Sequence, residues 1–393
     1  MIRQIVILGA GHAGVNAAAA LRDEGFDGNI RLLDAQKMLP YQRPPLSKAF
    51  LKGETTAARM VLRAEQFYGE QRIDLVLGAS VQAILPAERR VELASGELLS
   101  YDALILATGA RARPFPVVGQ DLAGVMSLRD LADAEELLLR MKAARHIVVI
   151  GAGFIGLECA ATAAASGADV TIIEMQSRVM ARAISPEMSA AFEAKHHALG
   201  ARLMFQTGVR ALIGNNGHIA EVELSDGVRL KADLVVVGIG VLAEDRLATQ
   251  AGLAIENGIV VDEHLATSSP EIFAIGDNNS HPNPFFGGRL RLESVQNAVD
   301  QAKCLARNLT GKPESYHAIP WFWSDQADFK LQIAGVSARL NRHVVRGDRE
   351  GGAFSVLGFE GERLAVVESL NRPADHMSAR RLIAEARGGT RGP

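Results

Sequence analysis

Gly9, Gly11 and Gly14 follow the apolar run Ile5-Val6-Ile7-Leu8, and Gly151, Gly153 and Gly156 follow Ile147-Val148-Val149-Ile150. In this G-x-G-x-x-G spacing each glycine has its own task. The first permits a tight turn, the second lets backbone approach a diphosphate, and the third lets helix and strand pack closely. The helix start then offers free N–H groups and the positive end of its dipole to the phosphates. One such pattern is a weak signal. Two, each after a β-branched run and before an Ala-rich helix, point to two bound dinucleotides. A carboxylate about 20 residues further on can accept hydrogen bonds from ribose hydroxyls. Asp34 lies 20 residues after Gly14, and Glu174 lies 18 after Gly156. At Glu174 a carboxylate would also repel a 2′-phosphate, so NADH is expected over NADPH, with Arg178 as the nearest opposing cation.

Other reactive residues are few. Cys159 and Cys304 are far apart, which excludes a disulfide framework, a C-x-x-C redox pair and a Cys-rich metal site. Both fall in helical patterns and read as core residues. The ten histidines show no metal-ligand spacing. His196-His197 reads as an exposed helix pair, and His12 contributes backbone to the first turn. Lys48 and Glu158 each lie near an expected cofactor turn.

The chain has 393 residues, 48% hydrophobic and 22% charged, enough for two or three domains with large cores. A net charge of -3 predicts no general affinity for nucleic acid or anionic membrane. The first apolar run ends at Gly9, so no signal peptide is expected. No apolar stretch is long enough to span a bilayer. The expected location is the cytoplasm.

Strands are expected at 3–8 and 29–34 around a helix at 12–24, forming a βαβ unit. The segment Pro40-Tyr41-Gln42-Arg43-Pro44-Pro45-Leu46-Ser47-Lys48 carries three prolines, which exclude a regular helix or central strand. Short strands are expected over 73–100, and an apolar strand runs into Ala107-Thr108-Gly109. A second βαβ unit spans His146 to about Glu174. Strands then lead to Val237-Gly238-Ile239-Gly240, and Ile272-Phe273-Ala274-Ile275 runs into Gly276-Asp277. Past Pro320, the segments 329–334, 343–346, 353–359 and 363–370 predict an antiparallel sheet, followed by a helix at 374–387. The tail from Gly388 to Pro393 is expected to be loose.

The Pro-rich segment, the Ala107-Thr108-Gly109 turn, Gly151–Glu158, Gly276-Asp277, Glu293-Ser294-Val295-Gln296-Asn297-Ala298 and Trp321-Phe322-Trp323-Ser324-Asp325-Gln326 resemble the FAD-dependent ferredoxin reductases. That family includes the reductase components of aromatic-ring dioxygenases. The motifs run in family order along nearly the whole chain, and the chain stops short of the family's usual end. The resemblance implies an α/β fold of two doubly wound, Rossmann-like dinucleotide-binding domains with a C-terminal α+β domain. The FAD domain would span 1–110 and 245–319, the NAD domain 111–244, and the C-terminal domain 320–393.

It further implies that Gly9, Gly11, Ala13 and Gly14 hold the FAD diphosphate. Arg43, Lys48, Val81, Ala107, Thr108, Gly109, Arg129, Asp277, Ser294 and Val295 would lie around the rest of the FAD. NADH would occupy Gly151, Gly153, Phe154, Ile155, Gly156, Glu174, Gly238, Ile239 and Gly240. Asp34 stands one residue before the family's ribose-binding acid. Lys48 and Glu158 would form a charge pair beside the flavin, and Trp323 would stand at its mouth. The implied reaction passes a hydride from NADH to FAD and then single electrons to a 2Fe-2S ferredoxin. That ferredoxin feeds a ring-hydroxylating dioxygenase or a cytochrome P450.

The Pro-rich segment holds no thiol, so an external one-electron carrier is expected to take the electrons. An NADH oxidase or peroxidase, and an NAD(H)-sensing flavoprotein of the apoptosis-inducing-factor type, are the alternatives. An acidic ferredoxin calls for basic docking residues, with Arg289, Arg291, Arg339, Arg342 and Arg346 as candidates.

Overall fold

The computed structural model describes residues 2–388; the expected loose tail at 389–393 lies outside them. The chain folds as two compact units. One comprises residues up to 42, 60–111 and 242–322, and the other comprises 43–59, 112–241 and 323 onward.

The first unit is built on a five-stranded parallel sheet. Its order is Ile272–Ala274, Ala103–Leu106, Gln4–Leu8, Asn29–Asp34, Ile73–Leu77. The inner strands are near-continuous apolar runs because both of their faces are covered. The helix His12–Asp23 carries Val15, Ala18 and Leu21 into the same core. A three-stranded antiparallel sheet, Val81–Leu85, Arg90–Leu93 and Leu98–Ser100, interrupts the chain before Ala103.

The second unit repeats this plan. Its parallel sheet runs Arg202–Met204, Asp169–Ile173, His146–Ile150, Leu234–Val237, Val125–Met126. The helix Phe154–Ala165 follows the central strand. A three-stranded antiparallel sheet, Val209–Asn215, His218–Leu224 and Arg229–Lys231, again precedes the fourth strand. Only the edge strand beside Ala103–Leu106 in one sheet and beside Leu234–Val237 in the other has a different origin. In the first unit it comes from later in the chain, and in the second from earlier.

The repeat extends to the far edge of each sheet. Asp102 Oδ2 accepts from the N–H groups of Arg3 and Gln4, and Asp233 Oδ2 from those of Arg145 and His146. The Arg3 and Gln4 bonds hold Asp102 below the usual carboxylate range. Burial opposes the same shift at Asp233, but its backbone bonds prevail.

From Trp323 onward the second unit also carries an antiparallel sheet; its order is Trp321–Gln326, Phe329–Gly335, Arg363–Leu370, Ala353–Glu360, Arg342–Asp348, with the helix Pro373–Gly388 packed against it. Four of these strands were expected. Trp321–Gln326 was not, because its buried face carries the polar Ser324 and Gln326 and so shows no apolar alternation.

His196 corrects the expectation of an exposed pair. It is fully buried, on a stripe with Met188, Ser189 and Phe192 that recurs about every four residues along Pro186–Ala198. His197 alone is exposed.

Candidate dinucleotide cradles and a buried carboxylate cluster

In a parallel sheet all strand C-termini share one edge, and ligands bind outside that edge. In the first unit the loops at this edge contain Gly9–Gly14, Asp34, Ala107–Gly109 and Gly276-Asp277. Gly9 is left-handed, with φ 99°, and donates its N–H to Leu33 O at 2.8 Å. A Cβ on Gly14 would collide with Gly9 O, whereas a Cβ on Gly11 would meet nothing within 4 Å. Gly11 therefore borders open space at the start of a helix that no side chain caps. That is the cradle a diphosphate requires.

Asp34 lies at the strand end and accepts from Ala10 N and Gln36 N, both at 2.8 Å. Gly276, with φ 85°, closes on the glycine helix, since a Cβ there would stand 3.0 Å from Ala13 Cβ. Asn278, which sequence reasoning missed, ties the remaining loops together. Its Nδ2 donates to Leu106 O and to Thr108 Oγ1. Ser294 caps the helix Val295–Leu309 through Asn297 N, so Ser294 and Val295 stand at a helix start. Val81 is half-buried at the start of its strand.

The second unit reproduces these contacts. Gly151 has φ 100° and donates to Ile173 O at 2.8 Å. A Cβ on Gly156 would collide with Gly151 O, while at Gly153 the only neighbour within 4 Å is Gly238 O, at 3.9 Å. Glu174 accepts from Ala152 N and Gln176 N, both at 2.8 Å. Asp34 and Glu174 thus occupy the same register position, each directly after the residue whose carbonyl takes the first glycine's N–H. Phe154 and Ile155 form the helix start, and Gly238, Ile239 and Gly240 follow the neighbouring strand.

The Arg178 guanidinium is occupied. Its Nη1 donates to Ile184 O and Ser189 Oγ, and its Nη2 to Ala181 O.

Arg43, Lys48, Arg129, Glu158 and Trp323 also belong to the second unit. Arg43 Nη1 donates to Arg129 O at 2.7 Å. Lys48 sits in a single wide helical turn, Leu46–Phe50, and interrupts it with φ -120° and ψ -107°. Its Nζ donates to Glu158 Oε2 at 2.8 Å. Glu158 is only 4% exposed. A buried carboxylate must be paired and hydrogen-bonded, and two serines complete its shell. Ser47 Oγ donates to the same Oε2, and Ser324 Oγ donates to Oε1 at 2.6 Å. Neither serine was singled out from the sequence. Strand alternation over Trp321–Gln326 would have put Ser324 and Gln326 on one face, opposite Trp323. Trp323 itself is half-buried.

Both cysteines are buried, and burial pushes both thiols up, that of Cys304 to about 12. Of the expected docking arginines, two are corrected. Arg289 bonds Val261 O and Ser280 O, and Arg291 is nearly buried against Glu293 and Asp277 O, so each braces its own fold. Arg339 and Arg346 are exposed, and Arg342 lies over the Phe359 ring at 4.0 Å while facing Glu362.

Among known proteins, residues 3–302 match the pyridine nucleotide-disulphide oxidoreductase model and residues 321–390 match the reductase C-terminal model. Rhodocoxin reductase of Rhodococcus erythropolis is 48% identical over 97% of this chain and 89% of its own. The crystal structure of the ferredoxin reductase for the CYP199A2 system of Rhodopseudomonas palustris superposes with a TM-score of 0.94. It is 44% identical and covers 96% of this chain and 93% of its own. The covalent putidaredoxin reductase–putidaredoxin complex superposes at 0.95, with 39% identity over 98% and 93% of the two chains. Two open glycine cradles, the matches along nearly the whole length and the C-terminal sheet place this chain in the FAD-dependent ferredoxin reductase family of pyridine-nucleotide oxidoreductases.

Proposed function

We propose that this chain is a cytoplasmic NADH-dependent reductase of a 2Fe-2S ferredoxin that serves a cytochrome P450 or a ring-hydroxylating dioxygenase. The observation that carries this reading is the chemistry beside Glu158. Lys48 and two serines surround the carboxylate, and both thiols of the chain are buried and hard to ionise. No internal thiol is suited to take the electrons, so a carrier outside the chain must.

FAD is assigned to the cradle at Gly11, with Asp34 toward its ribose, and NADH to the cradle at Gly153. FAD, when bound, supplies an acceptor that takes two electrons as a hydride and releases them singly. Lys48, held by Glu158, supplies a positive charge to offset the negative charge gained on reduction. Asp277, Val295 and Trp323 are assigned to the flavin end, with Trp323 on the exit side. Preference for NADH is supported by Glu174 and by Arg178, whose donors are already engaged by the loop it braces. Arg339, Arg342 and Arg346 remain as docking charges for an acidic carrier.

Purified enzyme mixed with NADH and a 2Fe-2S ferredoxin tests the proposal. Fast ferredoxin reduction that slows with salt is expected. Rapid oxygen consumption without ferredoxin would make the protein an oxidase. A long-lived reduced complex with negligible turnover would make it a sensor.

A further inference from the structure

The Glu158 cluster does not end at Ser324. Gln326 Nε2 lies 3.3 Å from Ser324 Oγ, and Gln326 Oε1 lies 2.9 Å from His196 Nε2. Ser324 and His196 are fully buried, and Gln326 is 1% exposed. Burial lowers the His196 pKa, so the ring is neutral and carries one proton. Because Nε2 faces a carbonyl oxygen, that proton is on Nε2, which leaves Nδ1 as the bare nitrogen.

The direction of every bond then follows. His196 Nε2–H donates to Gln326 Oε1. The Gln326 amide donates to Ser324 Oγ and toward Met180 Sδ at 3.9 Å. Ser324 has its lone pair engaged by this amide and gives its one proton to Glu158 Oε1. Glu158 Oε2 receives Ser47 and Lys48. All donors point the same way and end on one carboxylate, an arrangement that fixes its plane.

We infer that Ser324 and Gln326 are positioning residues. Through the buried line His196–Gln326–Ser324 they hold the Glu158 carboxylate so that its second oxygen faces Lys48. The C-terminal sheet thereby sets the placement of the one cation in the cluster. This rests on the reading that the Lys48–Glu158 pair serves the hydride step, and the test separates the two.

The variants are Ser324→Ala, which removes the donor; Ser324→Thr, which keeps the hydroxyl; and Gln326→Glu. The last replaces the amide donor with an acceptor, so that the Ser324 hydroxyl is drawn away from Glu158. In each holoenzyme, the rate of Lys48 acylation by an amine-reactive reagent is followed by mass spectrometry, with exposed Lys52 as the internal control. Stopped-flow reduction by NADH is measured alongside.

Loss of a hydrogen bond to a charged group should loosen the pair by about ten-fold or more. Lys48 labelling is therefore expected to rise by about that factor in Ser324→Ala and Gln326→Glu, and to stay near wild type in Ser324→Thr. Slower hydride transfer in the same two variants supports both statements. Faster labelling with unchanged hydride transfer keeps the positioning role and removes the pair from the reaction. Lys48 labelling at the wild-type rate in both Ser324→Ala and Gln326→Glu overturns the inference. If Ser324→Ala does not fold, the nearly isosteric Gln326→Glu carries the test alone.

Discussion

Two places after the third glycine of the first cradle stands Asn16, whose Nδ2 donates to His12 O at 2.7 Å within its own helix. At the matching place in the second cradle stands Glu158, whose carboxylate reaches Lys48 and Ser47 from the Pro-rich segment and Ser324 from the C-terminal sheet. The two turns otherwise share their backbone angles, their acid clamps and the aspartates at the opposite sheet edge. A duplicated frame therefore supplies two places to hold a dinucleotide. The chemistry that distinguishes them enters through a residue that the frame does not require. Glu158 is buried only because two other parts of the chain satisfy it.

Making the second cradle like the first is the most severe test. Glu158→Asn removes the charge partner of Lys48 and leaves Ser47 and Ser324 without their acceptor. Breaking a buried pair from one side costs roughly 3–5 kcal/mol. A Tm depressed by several degrees, together with slowed reduction by NADH, is expected. The mirror change, Asn16→Ala, should leave Tm within a degree or two, because its bond is local to one helix turn. Similar losses from both changes would erase the distinction.

The second unit holds another buried carboxylate. Glu368 Oε1 accepts from Ser185 N at 2.7 Å, and its Oε2 accepts from Ser185 Oγ at 2.6 Å. Burial raises its pKa from 4.5 to about 7, against the pull of the Ser185 bonds. The unfolded chain loses this proton first, so between about 4.5 and 7 the folded state binds more protons. Stability then falls as pH rises through that window, by about 3 kcal/mol at most. Asp102 and Asp233 act in the opposite sense and in both units alike. Their depressed pKa values give stability that is lost as pH falls below the usual carboxylate range. Burial lowers the pKa of His281 in the first unit and of His196 and His376 in the second, and these rings give stability that rises with pH toward 6.5, so the Glu368 contribution is read by difference. Between pH 5 and 7.5 the Tm of the wild type should fall relative to that of Glu368→Gln, and a difference that does not change with pH would remove this role from Glu368.

The shared frame was legible because it is written in backbone demands. Left-handed φ at Gly9 and Gly151, and close approach at Gly14 and Gly156, exclude other residues, so the glycines advertise themselves. The same logic gave the βαβ units, the acids and most of the C-terminal sheet. The difference between the copies was only half legible. Lys48 and Glu158 stood out as charges, but Ser47, Ser324 and Gln326 are ordinary polar residues until a fold sets them around a carboxylate. Likewise His196 looked exposed because its helix pairs it with His197, while the burial stripe falls on one of the two.

Glycine substitutions separate holding the fold from holding the ligand. Alanine at Gly14 or Gly156 drives a Cβ into the carbonyl of the first glycine and should cost about 1–3 kcal/mol, with a lower Tm in each case. Alanine at Gly11 or Gly153 meets open space and should leave the fold nearly intact. The ligand effects should divide by cradle. Gly11→Ala is expected to shed FAD on gel filtration. Gly153→Ala should keep its FAD and raise KM for NADH. If Gly153→Ala loses FAD instead, the assignment of the two cradles is reversed.

The mildest change concerns which nicotinamide the second cradle accepts. Glu174 holds Ala152 N and Gln176 N with one oxygen each, so its charge is fixed where a ribose hydroxyl would meet it. Glu174→Gln removes the repulsion toward a 2′-phosphate at little cost to shape. The ratio of kcat/KM for NADH over NADPH should fall by about ten-fold, the size of one charge-assisted hydrogen bond. Arg178 supplies the control. Its three bonds fasten the loop to Ile184, Ser189 and Ala181, so Arg178→Lys should lower Tm and leave that ratio unchanged. A ratio that moves with Arg178 and not with Glu174 would mean that the cation, rather than the acid, reads the cofactor. The likeness of Glu174 to Asp34 would then be confined to bracing the glycine turn.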